Sequence, residues 1–326
     1  MKKIISIALV IAMSICVLAG FSVKAQASPE EPKSVSALFF SLEGEYFTLL
    51  DDMLRAGLTE KGYTYESQSS NFNPVTQIEQ IENAVAKKVD AIWIWAVDGR
   101  PVHDALKAAV DAGVMVYSFV NDPGEDARTM VRGTDENICG QTLAEVTIEW
   151  ADREYGKDAE PGSIRTLFLA CENSENQKIR CDVCEEKLKE DPRFVIVERA
   201  TTDGSTVNTQ SLVENMFAKY GDTIDCIITS GGEDGLGVCA YLASESSIVS
   251  DPVKIGNISV EISTEIADYM AKDLVDAVAV NGGNIINNIA VQVDEMDKLM
   301  HGELEGGFSA VEIGRCFKEN LAEYGY

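Results

Sequence analysis

Few residues in this chain have the type and spacing for covalent or metal chemistry. The densest group is Cys181-Asp-Val-Cys184 with Cys171 ten residues earlier. A helix would set the two cysteines of such a pair one turn apart, a geometry compatible with redox exchange or a soft metal. No second pair stands at zinc spacing, and the two histidines, His103 and His301, are remote in sequence. The cysteines therefore read as structural, the histidines as surface or capping residues, and no metal ligand set is expected. The nucleophile pattern G-x-S-x-G and the zinc pattern H-E-x-x-H are absent. Gly231-Gly232 lacks both the GxGxxG spacing and a following Lys-Ser/Thr, so it is no phosphate cradle. What remains is binding chemistry: aromatic rings, acids and amides. The chain reads as a binding protein, not an enzyme, with no cofactor.

These residues must be positioned by alternating strands and helices. Val35–Phe40 reads as a first strand, and Tyr46–Lys61 as a helix with Phe47, Leu50, Met53, Leu54 and Leu58 near helical spacing. Asn73-Pro74 supplies an N-cap followed by proline at the first helical position. The run from Val89 to Trp95 is apolar on both faces, as a buried parallel strand should be. A helix over 102–112 and a strand over 114–119 complete four strand–helix steps, which predicts a parallel sheet with right-handed crossovers. The polar stretch 121–133 breaks this rhythm. It restarts with a helix over 137–154, strands near 165–169, 194–198, 226–229, 253–258 and 277–280, and helices between them. A helix over 285–301 and a short apolar piece, Phe308–Ile313, follow. The fold class is α/β: two doubly wound, Rossmann-like lobes with parallel sheets, joined by several crossovers that make a hinge. The expected division is a leader over 1–27, a first lobe over 34–134 plus 283–307, and a second over 135–282 plus 308–326.

The leader has its own signature. Lys2-Lys3 precede an uncharged run from Ile4 to Gly20, and Ala25-Gln26-Ala27 forms an A-x-A cleavage site. Cys16 lies inside the apolar run, so no lipobox is present, and the expected product is released to the periplasm or the outer face of the membrane. No later stretch reaches the ~18 apolar residues needed to cross a bilayer. Loss of Lys2, Lys3 and Lys24 with the leader takes 27 basic residues to 24 against 54 acidic ones, a net charge of −30. Such a surface repels phosphate backbones and excludes a nucleic-acid partner. Seven cysteines remain after cleavage, an odd number that leaves at least one unpaired thiol. Several fall in apolar patterns, where cysteine serves as a small hydrophobe.

The order and spacing of several short segments resemble the type I periplasmic binding proteins, in particular the ribose-binding-like sugar group of ABC importers. The matching segments are Ser41 to Phe47, Asn73-Pro74, Asp90 to Asp98, Asp135 to Gly140, and Lys298 to Glu303. The resemblance implies a ligand held between two lobes at the carboxyl ends of the strands, where open α/β sheets bind ligands. It implies that Tyr46 and Phe47 sandwich a sugar ring and that Arg180 donates in a fork to ring hydroxyls. Ser41, at the head of the first matching segment, joins the expected site. Trp95 fills a slot that is usually small and polar, at the end of its strand. Elsewhere the sequence departs from the family. Asp-Arg is replaced by Val120-Asn121, Asn-Asp by Gly231-Gly232 with Glu233 next. An aspartate position falls near Ser259, with Glu261 close by, and a glutamine position falls among Asn281, Gly283 and Asn284. The ribose constellation is thus not intact. The function implied is an exported, monomeric solute receptor that delivers a small polar ligand, a sugar or related polyol or nucleoside, to ABC permease subunits. The alternative is a sensory module that presents its ligand to a chemoreceptor or sensor kinase.

Overall fold

The computed structural model describes residues 32–281 and 285–326. The leader and Asn284 lie outside the described residues. Among those described, no helix is long and apolar enough to cross a membrane.

Two six-stranded sheets organise the described residues. The first contains β1 (Ser34–Phe39), β2 (Thr64–Ser69), β3 (Ala91–Trp95), β4 (Met115–Phe119), β5 (Met130–Gly133) and β11 (Gly307–Ala310), in the order β11-β5-β4-β3-β1-β2. Its helices are α1 (Glu45–Glu60), α2 (Pro74–Lys87), α3 (Gly99–Asp111) and α9 (Ile285–Met300). The second contains β6 (Ile164–Ala170), β7 (Phe194–Thr201), β8 (Cys226–Thr229), β9 (Gly256–Val260), β10 (Ala277–Asn281) and β12 (Ile313–Phe317), in the order β12-β10-β9-β8-β6-β7. Its helices are α4 (Glu136–Glu154), α5 (Glu175–Leu188), α6 (Thr206–Tyr220), α7 (Gly232–Leu242) and α8 (Thr264–Ala271). Among the described residues all ladders are parallel except β10 with β12.

The central strands are apolar on both faces because helices cover both. In β1, Val35, Ala37 and Phe39 pack towards α1 and α9, while Leu38 packs with Ile92 and Ile94 towards α2 and α3. In β6, Ile164, Phe168 and Ala170 face α4 and α5, while Leu167 and Leu169 face α6 and α7. The Asn73 side chain caps α2 by accepting the N–H groups of Val75 and Thr76, with Pro74 behind it.

Two elements differ from expectation. The polar stretch 121–133 ends in a strand, β5, whose four residues are all buried although one is Arg132. The apolar piece 308–313 divides between sheets: Phe308, Ser309 and Ala310 pair with Val131, Arg132 and Gly133, and Ile313 opens β12. Residues 308–310 therefore extend the first sheet rather than the second lobe, because β5 leaves an open edge that β11 fills.

Candidate functional site

The carboxyl edge of the first sheet is aromatic. Phe40 follows β1, Trp95 ends β3, Phe119 ends β4, and Phe47 lies in the first turn of α1. Phe40 stands edge-on to Phe47 (centroids 5.0 Å, 82°) and to Trp95 (5.0 Å, 85°). Phe47 meets Trp95 at 5.5 Å, Trp95 meets Phe119 at 4.9 Å, and the exposed Phe72 extends the wall at 5.1 Å from Phe40. Edge-to-face contacts of this kind fix ring orientation. Phe119 is buried, whereas Phe40, Phe47 and Trp95 are half-buried and keep part of their surface accessible.

Polar groups hold this edge in place. Gln77, fully buried, donates from Nε2 to the Trp95 carbonyl at 3.1 Å and accepts the Val97 N–H at 2.9 Å. Asn121 donates from Nδ2 to the Ala96 carbonyl at 2.7 Å, and its own carbonyl accepts the Ser118 hydroxyl at 2.8 Å. Its N–H reaches the Phe119 carbonyl at 2.9 Å, closing a tight turn over Val120 at φ +66°. A β-branched residue in the left-handed region costs on the order of 1–3 kcal/mol and persists only where its surroundings over-determine it. The turn leaves the Val120 side chain exposed. Glu261 occupies the same position in the second sheet, directly after β9, at φ +69°.

The carboxyl edge of the second sheet is polar. Arg180, in α5, is 4 % exposed. Its Nε and Nη2 donate to Glu136 at 2.8 and 3.1 Å, and its Nη1 donates to the Ser230 carbonyl at 3.1 Å, with Glu261 3.9 Å away. Burial pushes the Glu136 carboxyl above the usual glutamate range, while the Arg180 donors pull against it. The Ser230 hydroxyl donates to Gln177 Oε1 at 2.8 Å and accepts the Cys171 N–H at 3.1 Å. Asp234, 1 % exposed, accepts the hydroxyls of Thr209 and Thr202 at 2.7 and 3.0 Å, and the Ser230 Oγ lies 3.3 Å from it. Burial raises its pKa against these hydroxyls.

The expected site residues separate accordingly. Phe47, Trp95 and Asn121 gather on the first edge, with Tyr46 as the second residue of α1. Ser41 is buried there, its Oγ accepting the Glu43 N–H at 3.1 Å. Glu233 and Glu261 are exposed on the second edge, and Asn281 ends β10. Ser259 does not open onto the edge. Alternation along β9 turns it under α7, where it is fully buried and bonded to the Gly231 and Val260 carbonyls, each at 3.2 Å. A Cβ on Gly235 would lie 2.6 Å from its hydroxyl, so the helix sits directly on it. The Arg180 fork also departs from expectation, because the acceptor it grips is Glu136. Phe40 and Phe119 were legible by the rule that singles out Trp95, an aromatic ring at a strand end. Glu136 was harder to find, since a first-turn acid in a helix is ordinarily a dipole partner.

The reactive groups set aside by sequence are buried or bonded. All seven described cysteines are free and buried. Burial pushes the Cys139 and Cys181 thiols up to about 12. No group of three metal-capable side chains occurs among the described residues. His103 Nδ1 lies 2.6 Å from the Pro123 carbonyl, and His301 Nδ1 lies 2.8 Å from that of Asp297, so both tie loops or helix ends.

A protein-family model described as a periplasmic binding protein domain matches residues 37–296. A D-ribose/D-allose-binding protein of Pseudomonas aeruginosa is 27% identical over 128 residues, which cover 37% of this chain and 40% of that protein's length. Among solved structures, a periplasmic ribose ABC transporter protein from Conexibacter woesei superposes with a TM-score of 0.76 at 17% identity, over 90% of this chain and 95% of its own. A sugar-binding protein of a sugar ABC transporter from Bacillus halodurans gives 0.75 at 19% identity, over 90% and 100%. At these identities the structural likeness is one of fold.

Proposed function

The chain belongs to the periplasmic binding protein family, and on that premise we propose that it is an exported receptor that captures a sugar between its two lobes for the permease of an ABC importer. The observation that carries this reading is the aromatic wall of Phe40, Phe47 and Trp95 at the carboxyl edge of the first sheet. A sugar ring buries its C–H faces on such rings and directs its hydroxyls outward. The second lobe supplies the hydrogen-bonding partners. Glu233 and Glu261 accept hydroxyls, and Asn121 takes part from the first lobe. Arg180 commits three of its five N–H donors to Glu136 and Ser230, so its role is chiefly to hold the polar edge of the second sheet. Tyr46, Asn281 and Asn284 complete the proposed lining. Ligand that touches both lobes favours the closed arrangement by its differential affinity, and the closed surface is what a permease reads. The ligand undergoes no reaction. The ligands named for the similar solved structures, the sugars ribose, arabinose and allose and the polyol myo-inositol, are the first candidates. The test is a thermal-shift and calorimetric screen of the released chain over these and over nucleosides. A true ligand at about one hundred times its Kd adds about 2.7 kcal/mol of stability. Absence of any shift across the panel refutes the sugar assignment.

A further inference from the structure

The chain passes between the sheets three times: from β5 into α4, from β10 into α9, and from β11 into β12. One buried side chain reaches the first-lobe end of all three passages. Arg132, 5 % exposed, lies in β5, three residues before the α4 N-cap Asp135. Its Nε donates to Asn288 Oδ1 in α9 at 2.8 Å, and its Nη1 donates to Ser309 Oγ in β11 at 2.6 Å. Nη1 also lies 3.4 Å from Glu295 in α9. Glu295 in turn accepts the Ser309 hydroxyl at 2.5 Å and the Tyr117 hydroxyl, from β4, at 2.5 Å. The Arg132 carbonyl accepts the Val120 N–H at 2.8 Å, which joins this network to the strained turn at the carboxyl edge.

A buried arginine in a strand otherwise built from apolar residues is costly unless its donors are satisfied. Here they are satisfied by groups from α9 and β11, elements remote in sequence from β5. Packing alone would be served by a leucine or methionine at this position. The guanidinium supplies direction: it fixes where three chain segments leave the first lobe relative to one another. We propose that Arg132 is a positioning residue that makes the three passages emerge as one rigid unit, and so sets the open-to-closed equilibrium of the ligand-free protein without touching ligand. The inference rests on the two-lobe capture reading above.

The measurement needs no ligand. Val75 and Val207 are both exposed, on α2 and α6, and the seven described cysteines are buried, so cysteines placed at 75 and 207 accept spin labels selectively. Electron–electron resonance then reads the distribution of inter-lobe distances. Ser309→Ala and Asn288→Ala each remove a partner of Arg132 without stranding a charge, and they are the variants of choice because Arg132→Met takes the guanidinium away from the half-buried Glu295 carboxylate. Each is expected to keep a cooperative thermal transition while its distance distribution broadens and its mean moves by several ångströms, the scale of a domain closure. Distributions unchanged from the wild type in both variants overturn the assignment, whether or not any sugar in the panel binds. A panel without a binder refutes the sugar reading and leaves the distances to decide this one.

Discussion

Asp276 should make the protein lose stability as pH rises, the reverse of what most carboxylates do. It precedes β10, and its Oδ2 accepts the Asn257 N–H at 3.0 Å. It borders a cavity of about 310 Å3 lined also by Arg153, Glu154, Met270, Asp273, Val275, Lys318 and Glu319. Burial, against the Asn257 N–H and Arg153 and with help from Glu154 and Asp273, raises its pKa from 3.8 to about 7. The folded chain therefore holds the proton more tightly than the unfolded one. The resulting stabilisation is full below about pH 4, is lost progressively up to about pH 7, and is level above that. At about 1.4 kcal/mol per pH unit the limit is about 4 kcal/mol. The cavity admits solvent that screens part of this, and about 2 kcal/mol is the expected span. Asp276→Asn keeps an acceptor for the Asn257 N–H and carries no charge at any pH. Urea unfolding of both proteins across this range should show the wild type falling relative to the variant by that amount. The difference curve is the quantity to read. Asp122, Asp182 and Asp191, held below the usual range by arginine or lysine partners, act with the opposite sign and are common to both proteins. A difference that is flat, or that rises with pH, refutes the assignment of Asp276 as a half-buried, proton-holding carboxyl.

Three further outcomes are expected. Phe47→Ala should weaken ligand binding at least tenfold, about 1.4 kcal/mol, with little change in melting temperature, because the ring is half-buried at the edge; unchanged affinity by calorimetry removes Phe47 from the site. Arg180→Ala should destabilise the fold by about 3–5 kcal/mol, since it strands the buried Glu136, and adding Glu136→Gln should recover much of the loss; chemical unfolding of the single and double variants checks this, and additive losses refute the coupling. The seven described thiols should be silent to a thiol reagent in the folded protein and react together on unfolding, because all are buried; a fast-reacting thiol in the native state contradicts the packing.

How much of this was legible in the sequence depended on whether a residue's role was local. The strand from Val89 to Trp95 announced itself because burial on both faces leaves an unbroken apolar run. Asn73-Pro74 announced a helix start for the same local reason. β5 was hidden, since Arg132 reads as a surface charge until Asn288, Glu295 and Ser309 arrive from more than 150 residues away. The division of Phe308–Ile313 between two sheets was hidden too, because periodicity reports burial and not which sheet does the burying. At the site, the aromatic edge followed from strand ends. The use of the Arg180 fork did not, because it depends on how α4 packs against α5 and brings Glu136 within reach.

The three passages also govern when the protein can become itself. The first sheet begins at Ser34, yet its edge strand β11 and covering helix α9 come from the last 42 residues, and both supply partners to Arg132. The second sheet waits as well, since its edge strand β12 follows β11 in the chain. Until residue 310 has appeared, Arg132 lies in a half-built sheet without the groups that satisfy it, a costly state. Neither sheet is complete until β11 and β12 have emerged, which keeps a nascent chain open along most of its length and available for threading across a membrane.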